Sequence, residues 1–323
     1  MPATATTTDY YRDQQAWRDL QQFLPAAYRL DDSTAPQEEQ WEWNGHRIHL
    51  DRYRNPDAKA KVILHHGVGT NGRQMSLILG APLAAMGFET VALDDLGYGL
   101  TRVRPGFTQA YDDWVELTAA FISHERATDS RPFVLYGLSA GGMLTYHVAA
   151  TMPRGSLAGI VGMTFLDQRS QQVRDETAHD LFTARAGGPL MGALGKTPAG
   201  SVPYPMSLAS KMSALANDPG AMKVFMADRT SAANWVPIRF LDRYLHYAPA
   251  IEPEDFDACP VLLTQPAADR WSPHHLSVPF LSRITKVPVT TVMLENAGHY
   301  PLEEPGLTQM RDAIAEFTTK VAS

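Results

Sequence analysis

FVLYGLSAGGMLTYHVAA, residues 133–150, passes from an unbroken apolar run into an alanine-rich helical pattern at a serine held between glycines. An apolar run without alternation suits a strand buried on both faces. The turn that follows would force Ser139 into a strained backbone conformation, and side chains at Gly137 and Gly141 would clash with it. Such a corner lifts the Ser139 hydroxyl clear of the sheet edge. It also aims the Ala140 N–H at the same space, at the start of a helix whose dipole favours negative charge. Residues 137–141, Gly-Leu-Ser-Ala-Gly, therefore fit G-x-S-x-G in the strand–turn–helix setting that motif requires. The motif alone also matches glycine-rich turns with a surface serine, so the surroundings must supply a base, an orienting acid and a second oxyanion donor.

Working outward, apolar runs at 61–66, 88–95, 132–137, 159–167, 260–264 and 288–295 read as strands. Helical patterns lie at 74–86, 108–127, 139–152, 274–285 and 307–321. Asn44–Gly45, between two alternating segments, signals a hairpin. Strands alternating with helices imply an α/β fold, with a mostly parallel central sheet covered by helices on both faces. The alternation stops after 167. Residues 168–256 are helical in pattern, broken by the glycine- and proline-rich stretch GGPLMGALGKTPAGSVPYP, and read as an inserted helical cap. Within it, 187–200 is expected to be a mobile loop. The expected organisation is an N-terminal helical arm (1–35), a core (36–167 and 257–323) and the cap (168–256).

The chain has 323 residues, is 44% hydrophobic, and carries a formal net charge of −7 with no basic run, which argues against a nucleic-acid partner. A single cysteine, Cys259, excludes an intrachain disulfide and leaves the compartment unconstrained by redox. The first residues, MPATATTTDYYRDQQAW, lack the apolar core of a secretory signal, and no segment has the length of a membrane span. A cytoplasmic protein without an integral membrane segment is expected, and a homodimer is compatible with the composition.

Four further stretches, together with the serine corner, resemble the α/β-hydrolase superfamily over most of the chain outside 168–256. HHGVG (65–69) resembles its His-Gly oxyanion loop, which makes Val68 the second N–H donor beside Ala140. ALDDLGYGLT (92–101) resembles its D-x-P-G-x-G-x-S turn, with Leu96 in place of the proline and Thr101 in place of the serine. QPAADRW (265–271) resembles the loop that carries the acid, Asp269. NAGHYPLEEP (296–305) resembles the loop that carries the base, His299. The order Ser139, Asp269, His299 is the superfamily's order.

The resemblance implies catalysis by Ser139, Asp269 and His299, an oxyanion hole from Val68 and Ala140, and neither metal nor organic cofactor. A serine nucleophile separates the chain from the aspartate-dependent dehalogenase and epoxide-hydrolase branches and from the cysteine-dependent dienelactone hydrolases. Lysophospholipase and monoacylglycerol-lipase-like esterases are the nearest in character. The expected substrate is a small carboxylic ester with an apolar acyl or alcohol part, cleaved through an acyl-enzyme. Thioester, lactone, amide and carbon–carbon bond hydrolysis use the same residues. A triad-based lyase, a cofactor-independent oxygenase or a slowly turning ligand receptor are rivals from other classes.

Several other residues invite a role. Asp167 is the rival acid, at the end of the preceding strand. Asp94 and Asp95 suit turn stabilisation, and His65 and His66 suit hydrogen bonding within the oxyanion loop. His274 and His275 are adjacent and so do not share a helix face, which argues against a metal. Cys259 reads as a small buried hydrophobe. Met191, Met206, Met212, Met222 and Met226 could line an apolar pocket or fill the cap's own core. Phe240, Leu241, Tyr244 and Leu245 form one helical face that could roof the pocket or dock on the sheet. Arg169 and Arg174, at the entry to the cap, could meet a substrate carboxylate or be salt-bridged.

Overall fold

The apolar runs form strands, and the strands assemble into one sheet. In chain order these are β1 (Gln37–Trp43), β2 (His46–Tyr53), β3 (Lys61–His65), β4 (Glu89–Leu93), β5 (Phe133–Gly137), β6 (Gly159–Gly162), β7 (Pro203–Pro205), β8 (Trp235–Pro237), β9 (Val261–Pro266) and β10 (Val289–Leu294). Eight of them build the main sheet, ordered β1-β2-β4-β3-β5-β6-β9-β10. Pairing is antiparallel between β1 and β2 and between β2 and β4, and parallel from β4 onward. The computed structural model describes residues 10–323, so the first nine residues of the expected N-terminal arm lie outside the described residues.

The interior strands β3, β4, β5 and β6 are buried along their whole length. That requires cover on both faces, supplied among others by helices Tyr111–Arg126, Ala140–Thr151 and Gly306–Val321. Asn44 and Gly45 both take positive φ, 49° and 79°, in the turn joining β1 to β2. This is the backbone of a tight two-residue hairpin turn, and it explains why Asn-Gly occupies it.

Four expectations are corrected. The strand expected over 159–167 stops at Gly162. There the Phe165 ring folds back so closely that a Cβ on Gly162 would lie 2.7 Å from it, and the Phe165 N–H donates to Ser277. The described part of the arm is helical in short pieces rather than continuously, among them Ala16–Leu20, tied down by buried Tyr11 and Trp17. The glycine-rich stretch expected to be a loop is instead helical over Gly188–Gly195. Its glycines permit close approach to helix Ile238–His246, since a Cβ on Gly195 would meet Asp242 Cβ at 2.6 Å. The segment 168–256 is also not purely helical, because β7 and β8 form a small antiparallel ribbon within it.

Among the described residues no helix is long and apolar enough to cross a membrane. Cys259 is buried, and burial pushes its thiol up to about 12, so it is inert packing.

Candidate active site

The register of the parallel strands brings three loops together at their C-terminal ends. His65 of β3 stands level with Gly137 of β5, which stands level with Gly162 of β6. The loop after β3 therefore begins beside the corner after β5, and the Leu138 N–H donates to the His65 carbonyl at 3.1 Å.

At that corner Ser139 has φ 56° and ψ −120°, a conformation that a side chain adopts only at a cost of about 1–3 kcal/mol. Crowding holds it there. A Cβ on Gly137 would lie 1.8 Å from the Gly141 carbonyl oxygen, and one on Gly67 would lie 2.8 Å from both the Leu138 carbonyl oxygen and Ser139 Cβ. The loop after β3 thus sits directly against the serine corner because Gly67 has no side chain. Among the described residues, the N–H groups of Val68 and Ala140 have no hydrogen-bond acceptor. Two free amides, one at a helix start, beside an accessible hydroxyl are the elements of an anion site.

The loop is braced from behind. His66 Nδ1 donates to the Gly67 carbonyl at 2.9 Å, and its Nε2 accepts the Asp95 N–H at 2.9 Å. His65 contacts Asp95 Oδ2 at 3.3 Å and Thr118 Oγ1 at 3.0 Å. Both histidines are fully buried, so they support the loop. Asp94 accepts from the Tyr11 hydroxyl, Gly72 N–H and Leu100 N–H, and pairs with His49 at 3.2 Å. Thr101, standing where a serine was expected, keeps the hydroxyl function by donating to the Asp94 carbonyl at 2.6 Å.

Asp269 and His299 meet. His299 Nδ1 lies 2.9 Å from Asp269 Oδ2, and both side chains are buried. The second carboxylate oxygen accepts the Trp271 and Ser272 N–H groups at 2.7 and 2.9 Å. Burial raises the Asp269 pKa, but His299 and the Ser272 hydrogen bonds outweigh it and bring the carboxyl down to about 2. It is a carboxylate at neutral pH and can only accept, so the proton of this hydrogen bond is carried on His299 Nδ1. Nε2 is buried and makes no hydrogen bond among the described residues, and none joins it to Ser139.

Two residues in the acid loop were not singled out from sequence. Ser272 Oγ donates to Asp269 Oδ2 at 2.7 Å and lies 2.9 Å from His299 Nδ1. Trp271 packs its ring on the His299 imidazole, centroids 4.6 Å apart, and its Nε1 donates to the Thr177 carbonyl at 3.0 Å. Their only signal was position, two and three residues after the acid.

The rival acid Asp167 is engaged elsewhere. It pairs with Arg169 at 2.8 Å, and Arg169 also pairs with Glu252 at 2.7 Å. His275 pairs with Glu176 at 2.8 Å. Glu38, His49 and Asp51 are close enough to share a metal ion, but Arg73 already pairs with Asp51 and Glu38 there.

Ser139, Val68 and Trp271 open onto a cavity of about 320 Å³ whose walls are mostly apolar. The methionines divide: Met191 and Met206 line it, while Met212 packs on Gly69 and Met226 is exposed. The face at 240–245 does both things expected of it. Leu241, Tyr244 and Leu245 line the cavity, and Phe240 packs on Trp114 with centroids 4.9 Å apart.

Residues 56–306 match the family described as serine aminopeptidase, S33. No curated protein matches the chain. Among solved structures, a soluble variant of monoglyceride lipase from Saccharomyces cerevisiae is similar with a TM-score of 0.74 at 14% identity, covering 91% of this chain and 98% of that one. A monoacylglycerol lipase from Paleococcus ferrophilus gives 0.64 at 18%, covering 85% and 99%. A thermophilic esterase from Thermogutta terrifontis gives 0.59 at 18%, covering 89% and 100%. At these identities the likeness is one of fold.

Proposed function

We propose that this chain, which belongs to the serine aminopeptidase S33 family of α/β-hydrolases, is a serine hydrolase that cleaves carboxylic esters with an apolar acyl or alcohol part. The observation that carries this reading is the hydrogen-bonded Asp269–His299 pair, whose imidazole packs on Trp271, together with a strained Ser139 that lines the same apolar cavity as Trp271. In this reading Ser139 attacks the ester carbonyl while His299 Nε2 takes its proton. The N–H groups of Val68 and Ala140 receive the oxyanion of the tetrahedral intermediate. The protonated His299 then gives its proton to the leaving alcohol. Water, activated by the same nitrogen, attacks the acyl-enzyme and releases the acid. Asp269 keeps the imidazole in the required tautomer and balances its positive charge.

The lipase and esterase names among the structural neighbours support ester over peptide cleavage. So does the cavity. An aminopeptidase must seat the ammonium of its substrate, which calls for a carboxylate, whereas the one charged residue among the described cavity walls is Arg174. The segment 168–256, acting as a cap over Ser139, would bury the apolar part and exclude bulk water.

The test is covalent labelling. A fluorophosphonate probe should modify Ser139 alone, and Ser139→Ala should lose both the label and the hydrolysis of p-nitrophenyl butyrate. Labelling at a different serine removes the assignment.

A further inference from the structure

Arg174 stands apart in the cavity wall. It is the one charged side chain there among the described residues, and it lines the same space as Ser139. No carboxylate lies within ion-pair distance of it, although acids surround it in sequence. Each of those acids has another cation: Asp167 and Glu252 hold Arg169, Asp175 holds Arg185, and Glu176 holds His275. The contrast with Arg169 is direct. Of the two arginines at the entry to this segment, one makes two ion pairs, while the other makes none and acts on Asp175 only at longer range.

The guanidinium is nevertheless fixed. Its Nη1 donates to the Gln168 and Arg169 carbonyls at 2.7 and 2.9 Å, and its Nη2 donates to Gln171 Oε1 at 2.7 Å. A guanidinium has five N–H donors, so the Nε–H and one Nη2–H remain. Nε and Nη2 form one edge of the planar fork that receives a carboxylate with two parallel hydrogen bonds. A guanidinium held in place without an ion pair, half-buried at the edge of an apolar cavity, is arranged to receive an anion that the cavity admits.

We propose that Arg174 is a specificity-determining residue that receives a carboxylate at the end of the substrate's apolar part. The preferred substrates are then esters of apolar chains that terminate in a carboxylate, such as monoesters of aliphatic dicarboxylic acids. This rests on the ester-hydrolase reading above and narrows it. The ester carbonyl sits at Ser139, the methylene chain fills the cavity, and the distal carboxylate lies on Arg174. Arg174 takes no part in bond making or breaking.

The experiment compares p-nitrophenyl monoesters of dicarboxylic acids, from succinate to sebacate, with p-nitrophenyl alkanoates of equal chain length. The wild-type protein should favour the carboxylate-ended ester in kcat/KM by roughly tenfold or more at the length that spans the cavity. Arg174→Gln should lower that ratio at least tenfold, mainly through KM, and Arg174→Lys should retain part of it. An unchanged ratio in Arg174→Gln, or a wild-type preference for the uncharged ester at every length, overturns the inference. Should Arg174→Gln fail to fold, the wild-type ratio decides alone. Loss of the ester reading would look different: neither series would show hydrolysis that Ser139→Ala abolishes. In that event monomethyl sebacate should still raise the Tm of the wild-type protein more than methyl nonanoate does, and equal shifts would overturn the Arg174 assignment.

Discussion

Replacing Asp269 by asparagine separates its electrostatic role from its geometric one. The carboxylate is surrounded by donors: the Trp271 and Ser272 N–H groups on one oxygen, Ser272 Oγ and His299 Nδ1 on the other. An asparagine can keep only one of these sides. If its oxygen stays on the two backbone amides, its NH2 faces His299, which must then accept at Nδ1 and carry its proton on Nε2. That is the tautomer that cannot deprotonate Ser139, and the expected loss in kcat is on the order of 10³–10⁴. If the amide turns round, two buried N–H groups are left facing a donor, at about 1–3 kcal/mol each.

The stability effect is smaller than the kinetic one. Holding the carboxyl near 2 rather than 3.8 is worth on the order of 2 kcal/mol at neutral pH. Because the folded value is depressed, that contribution is complete above about pH 4 and is lost as pH falls through about 2. Asp269→Asn should therefore fold at pH 7, with a lower guanidinium midpoint, and be nearly inactive towards p-nitrophenyl butyrate. Asp167→Asn is the control. It removes a partly exposed pair with Arg169, worth about 0–1 kcal/mol, and should leave kcat within roughly threefold. An Asp269→Asn protein retaining more than a tenth of wild-type kcat, or an inactive Asp167→Asn, would mean that the acid was assigned to the wrong strand.

Three other outcomes are expected. Gly67→Ala places a methyl 2.8 Å from the Leu138 carbonyl oxygen and Ser139 Cβ, neither of which can swing aside. It should cost about 1–3 kcal/mol by overpacking and lower kcat more than it changes KM, by displacing the Val68 N–H. Wild-type kcat in that variant would remove Val68 from the oxyanion site. His49 is buried, which disfavours its charge, yet its bonds to Asp94 and Glu38 raise it to about 10. Its contribution to stability is full below pH 6.5 and disappears as pH rises through about 10. Unfolding midpoints should fall over that window, and His49→Gln should flatten the fall; identical pH profiles would refute the pairing. Lengthening the acyl chain of a p-nitrophenyl alkanoate should raise kcat/KM by up to about fourfold per methylene, from about 0.8 kcal/mol of burial, until the cavity is full. A flat series would remove the cavity from the substrate path.

The sheet and the serine corner were legible because local steric rules govern both. Strands buried on both faces are mostly apolar, and a corner as tight as that at 137–141 admits almost nothing but glycine two positions either side of the serine. The same rules misled where tertiary contacts decide. The glycines at 192 and 195 read as a mobile loop, since glycine weakens an isolated helix. Here they admit a second helix at short range, and Gly195 meets Asp242. The end of β6 was missed for a related reason. An apolar run continues past Gly162, but Phe165 turns back onto it, and composition does not distinguish a strand from an apolar turn.

The division between chemistry and specificity follows the same line. The proposed catalytic residues follow the C-terminal ends of β5, β9 and β10, whose places in the sheet order β5-β6-β9-β10 set their separation, so chain order and the resemblance of their loops to those of the superfamily were enough to nominate them. Ser272 and Trp271 joined them only through the path of one loop. Apart from Val68 and Ser139, the cavity walls come from segments dispersed between 166 and 271, and no periodicity links those segments. Arg169 and Arg174 illustrate the consequence. In sequence they are equivalent cations five residues apart. In space Arg169 is closed by Asp167 and Glu252, while Arg174 lines the apolar cavity, makes no ion pair and keeps two donors. Which of two like charges is available to a ligand depends on where the neighbouring acids point, and that is a property of the packed chain alone.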